Sequence, residues 1–594
     1  MTVPEKLLSL RQLMVHQKID ACIIPSADPH LSEYPASHWK SRAWLSGFTG
    51  SAGTVVVTAR KAGLWTDSRY FIQAEAQLDG SGIELFKAGL PETPDYRNWL
   101  LAELAENAVI GIDGFVFSAG EVADLTTCFA KKTIALKADF TPFDSLWDDR
   151  PVIPNDPLFV LPESFTGAGA HQKISRTLKA LHDAGANATM LGSLDMIAWL
   201  FNIRGNDVAF NPVAIAYAWV SEKETVLFVN PNKLTPETKD YLYQEGIVIA
   251  EYEKILSYIS HLTDDNKVLV TPAKINSRIC EAIPKSCATI TAAVHPVDQL
   301  KSIKNPIEIA GFRNAMKKDG IALVRFQRWL EQALTDGKQV TELDICTKLR
   351  EYRSLQPGYV EDSFETIAGY GAHGAIVHYG VTPESNATLR REGLVLVDSG
   401  AHYFDGTTDI TRTYALGHIS EAMKRDYTLT LKGHISLALA CFPKGTVGTQ
   451  LDILARKSLW EDGLNYLHGT GHGIGHVLNV HEGPQSIRMD YNPTALAPGM
   501  ITSNEPGVYR ANEYGIRIEN LVLTVPYQTT PFGEFYRFET LTLCPIDTRP
   551  IIHSLLSAAE LRWLNDYHRQ VYEQLSPELT TSEQIWLKEK TYEL

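Results

Sequence analysis

The stretch GLVLVDSGAHYFDGTTDITRTY, residues 393–414, decides how the rest of this chain is read. An apolar run from Leu394 to Val397 ends on Asp398, and the alternation through residues 407–414 carries Asp409. Between them lies a polar loop with Asp405-Gly406, a turn-forming pair of the kind that joins antiparallel strands. A hairpin centred near Tyr403 and Phe404 brings Asp398 and Asp409 to opposite or diagonal positions on one sheet face, a few ångströms apart. Two carboxylates that close repel each other unless a cation lies between them or one takes up a proton. Two solvated hairpin aspartates are the alternative, and this segment alone does not separate the two readings.

Four further stretches join it. HGAIVHY, residues 373–379, places His378 at the end of a short apolar run of strand character. HGTGHGIGHVLNVHEGP, residues 468–484, interleaves glycines with His468, His472, His476 and His481. ITSNEP, residues 501–506, carries Glu505, and GIRIENLVL, residues 515–523, carries Glu519. Glu505 and Glu519 are centred on Asn512, so a second hairpin sets them side by side as the first does for the aspartates. Pro506 must bend or end its strand, because it cannot donate to a ladder. Two carboxylate pairs and an imidazole make a ligand set for two divalent ions, with four negative charges balancing two M²⁺. Oxygen-rich coordination favours Mn²⁺, with Co²⁺ or Zn²⁺ as alternatives. Two such ions, typically ~3.5–4 Å apart, hold a bridging hydroxide as nucleophile and polarise a carbonyl. Taken singly, each stretch also fits ordinary packing or loop chemistry; the set is far more specific than its members.

The length of 594 residues exceeds one core and implies about three to five domains. Hydrophobic residues at 44% and charged residues at 21% describe an ordinary globular protein. A net charge of −15 argues against a general nucleic-acid binder. The N-terminus lacks a continuous apolar h-region, so no secretory leader is expected, and no run approaches a membrane span. Seven cysteines without CxxC spacing indicate neither a disulfide framework nor a thiolate zinc site, which fits a cytoplasmic protein.

Helical periodicity over residues 4–17 leads into a buried strand at 21–25. Strands at 53–58 and 63–66 and helices at 70–77 and 96–107 complete an α/β unit that closes in a proline-rich loop, residues 140–157. A second α/β unit opens with a helix at His171 and has strands at 213–220, 225–229 and 267–271. Residues 41–67 and 196–229 both run helix, glycine-containing turn, strand, turn, strand, which suggests a duplication. Asn305-Pro306 starts a long helix reaching Leu334, and Thr341 and Asp344 cap another ending near Leu355. Strands and glycine-rich turns follow Pro357, and Ser557 with Glu560 caps a helix over 561–575. The expected domains are 1–155, 156–304 and 305–594.

These segments resemble the motifs of the pita-bread metallopeptidases: methionine aminopeptidase, prolidase and aminopeptidase P. The order Asp398, Asp409, His472, Glu505, Glu519 matches the family's ligand order. The long, three-domain Xaa-Pro aminopeptidase is the best match and covers nearly the whole chain. It includes IIPSADPHLSEY, SGFTGSAG and WTDSRYF within the first 73 residues. The resemblance implies two creatinase-like α/β domains before a pita-bread catalytic domain, and a metalloexopeptidase that cuts Xaa-|-Pro by attack of a dimetal-bridging hydroxide.

It further implies that Asp398, Asp409, His472, Glu505 and Glu519 are metal ligands, with Asp409 and Glu519 bridging. Glu505 is then also the proton shuttle, His378 lies near the leaving proline, and His481 lies near the substrate carbonyl. His468 corresponds to a further active-site histidine, and Arg517 to an arginine that orients a carboxylate ligand. His476 falls outside the ligand pattern, and Arg42 is a candidate substrate contact. Relatives form homodimers, and the helix at 561–575 offers a contact surface. Prolidase shares the five ligands but has one N-terminal unit, methionine aminopeptidase lacks these leading units, and creatinase lacks the ligands. A non-catalytic peptide- or histone-binding module is the rival from another class.

Overall fold

The runs ACIIP, TVVVT and AGLWT form three neighbouring antiparallel strands, Ala21–Pro25, Thr54–Thr58 and Ala62–Thr66. Their near-continuous apolar runs, buried at successive positions, fit a pleated surface covered on both faces. In this computed structural model, which describes residues 1–594, parallel strands extend the sheet on both sides. The order becomes Glu84–Lys87, Ala62–Thr66, Thr54–Thr58, Ala21–Pro25, Val109–Gly111, Ala135–Lys137.

A second sheet repeats that plan. Its order is Ile247–Ala250, Thr225–Val229, Ala216–Ser221, Ala188–Leu191, Lys267–Val270, Ala288–Thr291. Again the central pairs are antiparallel and the outer ones parallel. The helices before the two hairpins, Ser41–Ser46 and Leu194–Phe201, each stop at a left-handed residue: Gly47 at φ 75° and Asn202 at φ 53°. Glycine and asparagine are the residues that tolerate that conformation. The duplication expected from residues 41–67 and 196–229 thus has a counterpart in strand order and orientation.

Both sheets lie in one compact unit, Met1–Pro162 with Ala168–Asp298. Backbone bonds stitch them together: Ala119 N donates to Ile275 O at 2.9 Å and Ser277 N to Phe117 O at 2.9 Å. The Asn276 amide also donates to Pro29 O at 2.7 Å. One expected element is shorter than its pattern. The helix foreseen over 96–107 ends at Glu103, because Leu104 is extended and Asn107 takes φ 63° before the strand Val109–Gly111.

The other unit comprises Glu163–Gly167 and Gln299–Leu594. Its first long helix, Pro306–Thr335, is capped by Asn305 with Glu308 closing the box, and Thr341 with Asp344 does the same for Glu342–Ser354. A three-stranded sheet joins Ile367–Tyr370, Leu394–Ser399 and Ile410–Ala415. Another joins Tyr359–Asp362, Ala401–Tyr403 and Gly406–Thr407. The six-stranded sheet runs Cys441–Pro443, Gly533–Thr540, Asn520–Thr530, Ile501–Asn504, Gly471–Gly473, Glu482–Ile487.

The helix Ala558–Leu575 turns Leu564, Tyr567, Val571 and Leu575 into the core beside Ile321 and Val324. Its apolar face is therefore covered within this unit. HGAIVHY is not a strand. A 3-10 turn covers Gly371–Ala375 and leaves His378 in the turn that follows. Gly369 and Gly374 approach so closely that a Cβ on Gly369 would lie 2.7 Å from Gly374, so the chain folds back rather than extending. No helix of the chain is long and apolar enough to cross a membrane.

Candidate metal and active site

Two hairpins build the site. In the first, Asp398 pairs with Thr411 and Ser399 with Ile410. The same register continues through His402–Thr407 and Tyr403–Gly406. Asp409 precedes the strand Ile410–Ala415 and so stands diagonally from Asp398 on one face. The tight turn is Phe404-Asp405, and Gly406 belongs to the strand, where a Cβ would come within 3.3 Å of Phe312. In the second hairpin Gly507 pairs with Arg517 and Arg510 with Tyr514, while Asn504 pairs with Asn520. That register is centred on Asn512, at φ 63°, and sets Glu505 opposite Glu519. Pro506 interrupts the strand as its missing N–H requires: one strand ends at Asn504 and the next begins at Gly507.

Between the hairpins, Gly471–Gly473 carries His472. The flanking glycines allow close approach, since a Cβ on Gly471 would lie 2.0 Å from Ser503 O and one on Gly473 2.3 Å from Glu482 O. Ligand atoms of Asp409, His472 and Glu519 all fall within 4.8 Å of one another. His472 Nε2 lies 3.5 Å from Asp409 Oδ2 and 3.4 Å from Glu505 Oε1. Asp398 joins through Arg517, whose Nη2 and Nε donate to Asp398 Oδ2 at 2.6 and 3.2 Å. Thr411 Oγ1 accepts from Arg517 Nε at 3.1 Å and donates to Glu519 Oε2 at 2.8 Å.

Three features test whether a cation belongs here. His472 Nδ1 donates to Gly473 O at 3.0 Å. A carbonyl only accepts, so Nδ1 carries a proton, and in the neutral tautomer with that proton Nε2 aims a lone pair at two carboxylate oxygens, the arrangement that a cation between them would satisfy. Asp398 Oδ1 is buried without a hydrogen-bond partner. Burial, then the neighbouring carboxylates, push the Asp409 and Glu519 carboxyls well above the usual range, and burial lifts Glu505 to about 7. All three are what a divalent cation among these atoms would relieve, and the donor set fits such ions.

The remaining candidates divide. His481 packs edge-on to His472 with ring centroids 4.3 Å apart. His468 donates from Nδ1 to Gly469 O at 2.7 Å, which leaves Nε2 to accept from the Tyr509 hydroxyl at 2.9 Å. His468 Nδ1 also lies 3.9 Å from Glu505 Oε2. His378 follows Val377, whose carbonyl accepts from Arg517 Nη2 at 3.3 Å. His476 donates from Nε2 to Asp405 O at 2.9 Å and packs on Phe312, so it braces the first hairpin turn. Arg42 belongs to the other unit. Its buried guanidinium donates to Ser26 Oγ at 2.9 Å, to Phe48 O at 2.5 Å and to Gly50 O. Three of its five N–H donors are thereby committed to neighbours in its own unit.

Tyr509 was not singled out from the sequence. Its hydroxyl accepts from Arg517 Nη1 at 2.7 Å and donates to His468. The signal was present: in a hairpin centred on Asn512, Tyr509 is the diagonal same-face neighbour of Arg517.

Comparison with known proteins places this geometry in a family. The model of metallopeptidase family M24 matches residues 310–526, and the C-terminal region of peptidase M24 matches 534–594. The Creatinase/Prolidase N-terminal domain matches twice, over 6–146 and 149–308. A probable Xaa-Pro aminopeptidase P of Coprinopsis cinerea is 42% identical, covering 99% of this chain and 98% of the relative. Aminopeptidase P2 of Arabidopsis thaliana is 42% identical over 98% of this chain and 88% of its own length. An X-prolyl aminopeptidase from Caenorhabditis elegans, described as a cytosolic enzyme with a di-nuclear active site, superposes with a TM-score of 0.96. It is 37% identical over 100% of both chains. With two creatinase-type domains ahead of an M24 domain and such identity from end to end, this chain belongs to the Xaa-Pro aminopeptidase P family.

Proposed function

We propose that this protein is a metal-dependent aminopeptidase that releases the N-terminal residue from peptides with proline in second position. The observation that carries the reading is the convergence of His472 with Asp409, Glu505 and Glu519, in a chain whose relatives of similar length are named Xaa-Pro aminopeptidases. Asp398, Asp409, His472, Glu505 and Glu519 would hold two divalent ions, and their oxygen-rich donor set favours Mn²⁺ over Co²⁺ or Zn²⁺. When bound, the ions supply an activated water and polarise the scissile carbonyl.

The chain's own groups do the rest. Arg517 holds Asp398 in place through two nitrogens. His481 donates to the carbonyl oxygen as it gains charge in the tetrahedral intermediate. Of the four carboxylates Glu505 is the most exposed, its side chain 17% accessible against 11% for Asp398. It takes the proton of the attacking water and delivers it to the departing proline nitrogen. That nitrogen carries no N–H in the peptide, so recognition rests on the ring, with His378 beside it and His468 behind Glu505.

Chelation is expected to abolish hydrolysis of Arg-Pro-Pro and Mn²⁺ to restore it, with an Xaa-Pro dipeptide and Met-Ala-Ser cut poorly or not at all. Full activity after exhaustive metal removal, or in Asp409→Asn, would overturn the metal centre; preference for the dipeptide would make the enzyme a prolidase. We further propose a cytoplasmic homodimer, which sedimentation would contradict with a monomer. The division at 155 and 304 is likewise a proposal, to be checked by limited proteolysis near those residues.

A further inference from the structure

The segment Asn465–Gly469, between the helix Gly448–Trp460 and the strand Gly471–Gly473, lies outside every strand, and ladder bonds begin only at Thr470, whose N–H donates to Ile487 O at 2.8 Å. Its inward-facing carbonyls therefore need donors from elsewhere. They find them in Arg456, a residue with 1% exposure that the reaction described above does not use. Arg456 Nη1 donates to Tyr466 O at 2.5 Å and Nη2 to His468 O at 2.9 Å. The Tyr466 ring lies against the guanidinium, 3.8 Å from centroid to Cζ.

Asp452, one helical turn earlier, fixes the other side of the guanidinium through Oδ2 to Nε at 2.5 Å. Its Oδ1 accepts from Thr470 Oγ1 at 2.5 Å. Since the Thr470 hydroxyl gives its proton to Asp452, the Tyr466 hydroxyl is the donor in the 2.5 Å contact between Tyr466 and Thr470. Thr470 in turn accepts, through its carbonyl, from Glu505 N at 2.8 Å. His468 is thus held at its own carbonyl and bracketed by clamped residues two positions before and two after.

We infer that Arg456, fixed by Asp452, is a positioning residue for His468: it sets the backbone from which the imidazole reaches Tyr509 and Glu505. The inference rests on the reading of the site as an Xaa-Pro aminopeptidase. A planar fork that serves two carbonyls and a carboxylate at once cannot be copied by an ammonium. Displacement of a catalytic group by ~1 Å costs about 100-fold in rate.

The test is a double-variant cycle on Arg-Pro-Pro hydrolysis with Mn²⁺, together with crystal structures of the variants. Arg456→Met is expected to lower kcat about 100-fold with KM within about threefold, and Arg456→Lys to recover part of the loss. Added to His468→Ala, Arg456→Met is expected to cost less than about twofold more, because the group it positions is already gone. The structure of Arg456→Met is expected to show segment 465–470 moved by about 1 Å, with the His468 imidazole off Tyr509. Should that variant not fold, Thr470→Val, which leaves the Arg456–Asp452 pair intact, must show the same non-additivity with His468→Ala. Equal losses in the wild-type and His468→Ala backgrounds would overturn the inference, as would an unmoved segment in Arg456→Met. A wild-type protein that leaves Arg-Pro-Pro intact would instead refute the functional reading, and the crystal structure would still decide the positioning role.

Discussion

The Tyr509 hydroxyl stands between Arg517 and His468, accepting from one at 2.7 Å and donating to the other at 2.9 Å. Arg517 meanwhile holds Asp398, so a directed chain of hydrogen bonds runs from a carboxylate ligand candidate to His468. Tyr509→Phe keeps the ring but leaves a buried guanidinium nitrogen short of a partner, at a cost of about 1–3 kcal/mol. It is expected to lower kcat on Arg-Pro-Pro by about 10- to 100-fold, with Mn²⁺ affinity within a few-fold of wild type, read by steady-state kinetics and metal titration. An unchanged kcat would show that the chain has no catalytic consequence. At this scale the sequence was partly legible. Asp398, Asp409, Glu505 and Glu519 stand out because unexplained paired charges interrupt apolar strands. Thr411 looks like an ordinary strand residue, and its partners Arg517 and Glu519 become visible only when the two hairpins face each other.

Among elements, the hairpins were the most legible part of the chain, because a turn residue and period-two alternation fix a register. The centre at Asn512 follows from the sequence alone, and the observed pairing has that centre. HGAIVHY misled because a short apolar run does not distinguish strand from turn, and the deciding factor was the approach of Gly369 to Gly374. Less legible still was Glu482, one residue after His481. It accepts from Lys301 at 2.7 Å and from Lys304, and all three side chains are at most 1% exposed. Nothing near Lys301 and Lys304 in sequence marks them as buried, because their partner is 178 positions beyond Lys304. Glu482→Gln would remove the carboxylate charge that two buried ammonium groups share and is expected to destabilise this unit by about 3–5 kcal/mol. Lys304→Met leaves one neutral pair and is expected to cost much less. Denaturant midpoints decide between them, and equal losses would contradict this account of the triad.

Across the whole molecule, the duplicated sheets were legible as a repeated pattern, whereas their union in one unit was not, since Asn276 to Pro29 and Ser277 to Phe117 are long-range bonds. Both units share one device that only the fold reveals: buried histidines held neutral. His295 accepts at Nδ1 from Val297 N at 3.1 Å, so its Nε2 donates to Thr189 Oγ1 at 2.8 Å. His568 accepts at Nε2 from Ile546 N at 3.1 Å. His434 donates from Nδ1 to Asn504 O and accepts at Nε2 from the Asn520 amide, both at 3.1 Å. Burial pushes the pKa down to about 4 for His295 and His568 and to about 3 for His434. The unfolded chain protonates the same groups near 6.5. Between these values the unfolded state binds more protons, so the contribution is fully present above pH ~6.5 and is lost as pH falls toward 4. At pH 5 each histidine is expected to cost on the order of 2 kcal/mol relative to pH 7.5. Denaturant unfolding should therefore shift to lower midpoints at pH 5 in both units. His568→Gln, uncharged at either pH, should narrow the difference in the second unit and leave the first unchanged. Midpoints as high at pH 5 as at pH 7.5 would mean that these rings accept protons without losing their hydrogen bonds.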